Sequence, residues 1–404
     1  MAGNSLLTID MITRKALEIF ENQLVLTRNC NRQHDDSFAV TGAKIGSTLR
    51  IRLPDRTLVT DGAALQVQDD NEQFTTLAVS SQKHIGVNFT TAELTMQMDD
   101  FAERVLKTRV SQLAASVDAD VASVYRSLYQ SVGTPGNVPS TSLVLLQGQQ
   151  KLNEAAAPMS PRYATVNPAA NAGLVEGMKG LFNPTDTVSR QFRNGMMGTG
   201  VLGYEEVNMS QSIGLHTTGT RAATGNSIAT TVATQGQAFL AITGTGSALT
   251  IAAGDVFTIQ DCFAVNPQTR QSTGSLQQFV CLATNTAAGT AHTNVLISPP
   301  IYTATQALAT VDSFPVAGKT VTFVGTASTG YPQNLIYHKD AITFATADLI
   351  MPRGVDMASR QVHNGISMRI VRQYDINNDR MPCRLDVLYG FAAQRPAGAA
   401  RLWG

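Results

Sequence analysis

Residues 217–332 carry only six charged side chains, Arg221, Asp255, Asp261, Arg270, Asp312 and Lys319, in a chain of 404 that has thirty basic and thirty acidic residues. Thr, Ser, Gly and Ala dominate this stretch, and short β-type runs (DVFTIQ, QQFVCLA, NVLIS, KTVTFVG) recur along it at fairly regular intervals. The pattern predicts a small all-β domain, a barrel or a sandwich. Ordinary charged composition stands on both sides of it, so the β-domain interrupts a discontinuous parent domain. A chain of this length accommodates two or three domains, or one domain with a large insertion.

The parent segments have their own periodicities. Leu7, Met11, Leu17, Phe20 and Leu24 fall at helical spacing and predict an amphipathic helix over 6–26. In LRIRLPDR, Leu49, Ile51 and Leu53 alternate with Arg50 and Arg52, which places apolar groups on one strand face and guanidiniums on the other. A second extended run, FTTLAVSSQKHIGVNF, starts at Phe74, and the polar stretch TDGAALQVQDDNE joins the two. The pair reads as a long two-stranded arm. Because an isolated two-stranded ribbon is marginal in water, such an arm is expected to lie on a neighbouring subunit. From 90 to 130, Leu94, Met98, Phe101, Val105, Leu113, Val117, Val121, Val124 and Leu128 predict one long amphipathic helix, with Thr90 and Glu93 as a capping box. About 40 residues at 1.5 Å each would make a spine of about 60 Å. At the other end, GISMRIVRQYDINNDRMPCRLDVLYGF reads as two strands around a polar turn.

Charged residues make up 15% of the chain and hydrophobic ones 43%. The charge is low beside the roughly 25% of an ordinary domain, which favours burial against partners over solubility. The formal net charge of zero lacks the basic footprint of a dedicated nucleic-acid binder. Cys30, Cys262, Cys281 and Cys383 are too scattered for a zinc or redox motif and point to folding in a reducing cytoplasm. The N-terminal residues do not read as an export signal, and no run of about 18 apolar residues suggests a membrane span.

The chemical motifs are weak. A GxGxxG over 198–203 lacks the preceding buried strand and following helix of a dinucleotide site and reads as a flexible loop. Asp375, Asn377 and Asp379 have the spacing that begins a calcium loop, but Arg380 stands where glycine is needed, so a polar hairpin turn is expected, with Asp386 a shortened stand-in for the last ligand. His34, His84, His216, His292, His338 and His363 are scattered singly. No catalytic, cofactor or metal residues are assigned, and the chain reads as a non-enzyme. Arg50, Arg52 and Arg56 fit a phosphate patch, a solvated face, or ion pairs with carboxylates of a neighbouring copy. Together with Asp69, Asp70 and Glu72 on the joining loop they are the candidate inter-subunit contacts.

The N-terminal helix, the Arg-bearing strand pair (LRIRLPDRTLVTDGAALQ), the run VNFTTAELTMQMDDFAERVLK into a long helix and the closing CRLDVLYGFAAQRP together resemble the major coat proteins of short-tailed bacteriophages, nearest to those with an inserted β-domain. The resemblance covers nearly the whole chain and implies an α+β capsid fold of the Hong Kong 97 type. The implied segments are an N-terminal arm (1–45), an extended β-arm lying across an adjacent subunit (46–89), a peripheral domain with the spine helix (90–140), an axial domain (141–216 and 333–357) split by the inserted β-domain (217–332), and C-terminal strands returning to the peripheral domain (358–404). It also implies hexamers and pentamers closing an icosahedral shell around double-stranded DNA, with scaffolding protein and portal as assembly partners, in a virion built in the host bacterial cytoplasm. Some members of the wider fold cross-link lysine to asparagine; Lys44 and Lys83 lie near the arm, but no catalytic carboxylate can be assigned and no cross-link is expected. Two other readings remain open: a surface protein whose β-domain binds carbohydrate or a receptor, and an enzyme using the loop at Gly198.

Overall fold

The structure, a computed structural model, describes residues 9–33, 48–54, 56–60, 62–63, 65, 67, 73–90, 107–177 and 198–404. The chain divides into two compact units. One comprises Met1–Ile51, Thr75–Ala122 and Thr343–Ala392, and the other Arg52–Phe74, Ser123–Ile342 and Ala393–Gly404.

Among the described residues, the first unit is built on a sheet with two helices. Strand Arg380–Ala393 pairs antiparallel with Ile366–Arg372, which pairs with Met357–His363; the same long strand pairs with Ser81–Thr90 from Ser81↔Tyr389 to Thr90↔Arg380. Alternation sends Ile366, Met368, Ile370, Leu385, Val387 and Tyr389 to one buried face. Helix Ile9–Gln23 packs on this hairpin and against helix Lys107–Ala122. Its residues Ala16, Leu17 and Phe20 are buried, as are Val110, Leu113, Ala114, Val117 and Val121 on the second helix. Both stripes follow the i, i+3, i+4 rule.

Two sequence expectations change here. The spine helix ends at Ala122 and tightens into a 3-10 turn, Ser123–Ser127, so Val124 and Leu128 lie beyond it. Of the proposed capping box, Thr90 closes a strand and Glu93 lies outside the described residues, as does the run 91–106. The extended run from Phe74 is two strands. Phe74–Ala78 pairs with Thr48–Arg52 as the arm base, while Ser81–Thr90 belongs to the main sheet. The change of partner occurs where the chain passes Gly390: a Cβ there would lie 2.0 Å from the carbonyl oxygen of Ala78, so only glycine admits the crossing. At the arm base Ile51, Leu77, Val79 and Ala345 form a small apolar cluster, as the Leu-Arg-Ile-Arg alternation predicts.

The turn after the N-terminal helix is held by one carboxylate. Asp118, buried on the second helix, accepts the backbone N–H groups of Val25 (2.7 Å), Leu26 (3.3 Å) and Thr27 (3.1 Å), and the hydroxyl of Thr27. A buried anion is tolerated when its oxygens are saturated by donors. The N-terminal helix thus buries its apolar stripe within its own unit.

The second unit has a mixed six-stranded sheet in the order Ser131–Val132, Ala399–Leu402, Asn334–His338, Arg162–Val166, Tyr204–Met209, Gly198–Val201. Helices Ser142–Glu154 and Pro168–Gly177 complete a core of Leu145, Leu152, Val166, Leu174, Tyr204 and Ile336. The sequence reading kept the last residues with the C-terminal strands; instead Ala399–Leu402 pairs between Asn334–His338 and Ser131–Val132 in this second sheet. Between Tyr204–Met209 and Asn334–His338 the charge-poor segment leaves and returns through a two-stranded neck, Leu215–Thr217 paired with Gly330–Pro332. Beyond the neck six antiparallel strands follow the order Val321–Phe323, Val256–Val265, Ser272–Cys281, Ala291–Ile301, Gln237–Thr243, Ser227–Ile228. The Ser227↔Thr320 bridge and the bond from Ile228 N–H to the Lys319 carbonyl join first strand to last, closing a barrel. Ile242, Phe257, Ile259, Phe279, Val295 and Ile297 fill it. The fold is α+β.

Replacing Asp118 with Ala removes the carboxylate that accepts from the buried amides of Leu26 and Thr27 and the half-buried amide of Val25. The first unit is expected to lose about 2–4 kcal/mol, measured as a lower urea midpoint, with Asp118→Asn less damaging because one acceptor oxygen remains.

Candidate functional site

Polar groups concentrate at the base of the barrel and on the arm, among other places in the described residues. At the barrel base, Asp255 is fully buried where the chain turns into Val256–Val265. Its oxygens accept from His216 Nε2 (3.0 Å), Arg221 Nη1 (3.1 Å) and the backbone N–H groups of Gly219 (3.1 Å) and Ala252 (3.0 Å). Burial raises the pKa of this carboxyl, but the bond from His216, the Arg221 charge and the two amides outweigh it and hold the pKa below the ordinary carboxylate value. His216 stands on the outgoing neck strand, and its Nδ1 lies 3.4 Å from the hydroxyl of Tyr125. The Tyr125 ring lies 5.3 Å under the guanidinium of Arg401. Arg401, 1% exposed, donates to the carbonyls of Gly254 (2.7 Å) and Leu128 (2.8 Å) and reaches Gln333 Oε1 (3.5 Å). Burial pushes its pKa down to about 9, against the pull of Tyr125 and Asp255. Both crossings of the neck, the turn after the spine and the C-terminal strand therefore meet in one polar hub.

None of the hub residues was singled out for a role by the sequence. The available signals were compositional: Arg221 and Asp255 are charges in a charge-poor β segment, and Arg401 interrupts the apolar run AARLWG. Their convergence needs the tertiary fold. The hub resembles a charge-relay only superficially, since its carboxylate, imidazole and guanidinium are buried and face one another.

On the arm, Arg50 and Arg52 are exposed on one strand face, with Ile51 buried between them. Arg56 is exposed and lines a cavity of about 70 Å³ with Tyr129, Lys151 and Glu154. Asp69, Asp70 and Glu72 lie outside the described residues. The large apolar side chains of the arm are turned outward: Leu65 is 90% exposed, Val67 85% and Val59 79%. Lys44 is outside the described residues, and Lys83 is held by Asp120 Oδ2 at 2.7 Å and the Ser116 carbonyl at 2.9 Å.

The weak motifs resolve as structure. The GxGxxG is a β-hairpin, Gly198–Val201 to Tyr204–Met209, turning through Leu202 (φ 50°) and Gly203 (φ 77°), and no helix opens from it. It is thus neither a flexible loop nor a pyrophosphate cradle. At DINND, Asp375 accepts from Asn377 N–H and Asn378 Nδ2, making the polar hairpin turn expected. Asp386 is fully buried between Arg369 and Arg384 and offers nothing to that turn. Among the described residues no group of three His, Cys, Asp or Glu side chains could hold a metal, and no helix is long and apolar enough to cross a membrane.

With arm, spine, split sheet and inserted barrel in place, the chain matches over residues 1–403 the family described as "P22 coat protein - gene protein 5". It belongs to that family. This coat protein is a structural subunit, a virion component, and the surface-binding reading is not favoured. Solved structures similar to it include a chain from Mycobacterium phage Che8 (11% identity, 94% of this chain and 90% of that chain covered, TM-score 0.47). Others are the "Capsid structure of the Cyanophage P-SCSP1u" (11%, 90% and 84%, 0.42) and the "Asymmetric unit of bacteriophage PhiM1 mature capsid" (10%, 92% and 86%, 0.41). No curated protein matches the sequence.

Because the folded pKa of Asp255 lies below its unfolded value, its contribution to stability is present above about pH 4 and is lost as pH falls through the folded value. Urea titrations between pH 2 and 5 are expected to show a slope smaller by about one proton in Asp255→Asn. At pH 7 that variant is expected to be less stable by about 3–5 kcal/mol, because the buried Arg221 guanidinium loses its counter-charge.

Proposed function

We propose that this coat protein assembles as hexamers and pentamers, in the Hong Kong 97-type arrangement, into an icosahedral shell around double-stranded DNA. The family match along 1–403 carries the reading. Three features of the chain support it. Leu65 and Val67 stand on a thin two-stranded base, where a second copy would remove them from water. The zero net charge suits a container wall, since strong phosphate binding would hinder both filling and release. The barrel is a self-cored insertion, able to project from the floor of a shell without interrupting the parent sheet.

The first unit corresponds in this reading to the peripheral domain. The mixed sheet of the second corresponds to the axial domain at the centre of each capsomer, with the barrel as the inserted domain. Arg50, Arg52 and Arg56 meet carboxylates of a neighbouring copy, and Asp69, Asp70 and Glu72 meet its cations. Scaffolding protein and portal take part during assembly in the host cytoplasm, and the subunit catalyses no reaction. Each contact is weak and their sum is large, because one subunit engages several neighbours at once.

Purified protein, with or without its scaffold, is expected to give closed shells in electron micrographs. Monodisperse monomers under all conditions would remove the proposal.

A further inference from the structure

The proximal limb of the arm does not stand free: residues 52–74 are part of the second unit. Arg56 forms one wall of the cavity of about 70 Å³, and Tyr129, Lys151, Glu154 and the barrel residues Thr273 and Leu276 form others. Burial raises the Tyr129 hydroxyl to about 12 and the nearby Arg56 charge pulls the other way, which places the guanidinium within electrostatic reach of that hydroxyl. Three residues on, the Val59 carbonyl accepts from Arg270 Nη2 at 3.4 Å. Arg270 sits in the turn between Val256–Val265 and Ser272–Cys281 in the left-handed region, φ 59°.

The other five charged residues of the barrel segment are committed within it. Arg221 pairs with Asp255, Lys319 pairs with Asp261, and Asp312 accepts the N–H of Phe263. Arg270 is the barrel charge that reaches the arm.

We propose that the barrel is a parking cradle for the arm of its own chain. Arg270 and the cavity around Arg56 hold residues 56–59 at home in the free subunit, and the arm leaves this cradle when it crosses to a neighbour. Parking is an autoinhibitory contact: residues 56–59 held on their own barrel compete with docking of the same limb on a neighbour. The contact is suited to release. It rests on one exposed hydrogen bond of marginal length and an open cavity, not on a sealed apolar interface.

The inference rests on the shell-forming reading, and the test separates the two. Wild-type protein is first shown to form shells by light scattering and micrographs; failure there counts against the proposed function alone. In the full chain carrying Val59→Cys and Arg270→Cys, a short thiol-to-thiol cross-linker then locks the arm in place. The locked subunit is expected to assemble at least about tenfold more slowly than the same variant left uncross-linked. Arg270→Ala is expected to assemble roughly fivefold faster than wild type, the size of one modest hydrogen bond, with faster amide exchange over 56–60 in the free subunit. Unchanged assembly of the locked subunit, or an Arg270→Ala protein unchanged in both exchange and rate, would overturn the proposal. If Arg270→Ala does not fold, the cross-linking comparison decides.

Discussion

A guanidinium can be buried in a protein only where carbonyls and a ring face are waiting for it, and Arg401 meets that demand by touching three distant parts of the chain. Leu128 follows the spine, Gly254 opens a barrel strand, Gln333 returns from the neck, and Tyr125 supplies the ring. The strand Ala399–Leu402 brings the arginine there, and it is inserted between Asn334–His338 and Ser131–Val132. The second unit is therefore closed by its last residues. Asp255 performs the matching task on the barrel side, joining Arg221 to His216 across the neck. A large insertion is tolerated in a split sheet because its two crossings are tied by specific polar bonds as well as by backbone pairing.

The legible parts of the sequence were those with a single dominant periodicity. The stripe of Leu17 and Phe20, the stripe of Val110, Leu113 and Val117, and the alternation around Ile51 each specify one buried face, and each is buried as read. The charge-poor segment was legible because composition changes abruptly at its edges. What failed was partner choice. Nothing local in FTTLAVSSQKHIGVNF says that the run changes strands at Val79, because the cause is Gly390, some three hundred residues away. The helix stops at Ala122 although apolar spacing continues through Val124 and Leu128, since Tyr125 is drawn to the hub. Of the candidate contacts, Arg50 and Arg52 share an exposed face as expected, and Arg56 lines the cavity. The hub was illegible because its members are dispersed along the chain from Tyr125 to Arg401.

Family membership and physical character point the same way. A subunit that tiles a wall needs surfaces that are sticky to copies of itself and indifferent to its cargo. A chain with no net charge, outward apolar side chains on its arm and a barrel whose charges are largely spent internally has that character. Low charge leaves little electrostatic repulsion between copies, so geometry and apolar burial set the strength of association.

The central claim is that the arm of one copy is completed by another. Its most direct test is a side-chain-resolution electron cryomicroscopy map of assembled particles. The account predicts Leu65 and Val67 buried against a second copy of the chain. Arms that stay solvent-exposed, or lie wholly on their own subunit in the finished shell, would contradict it.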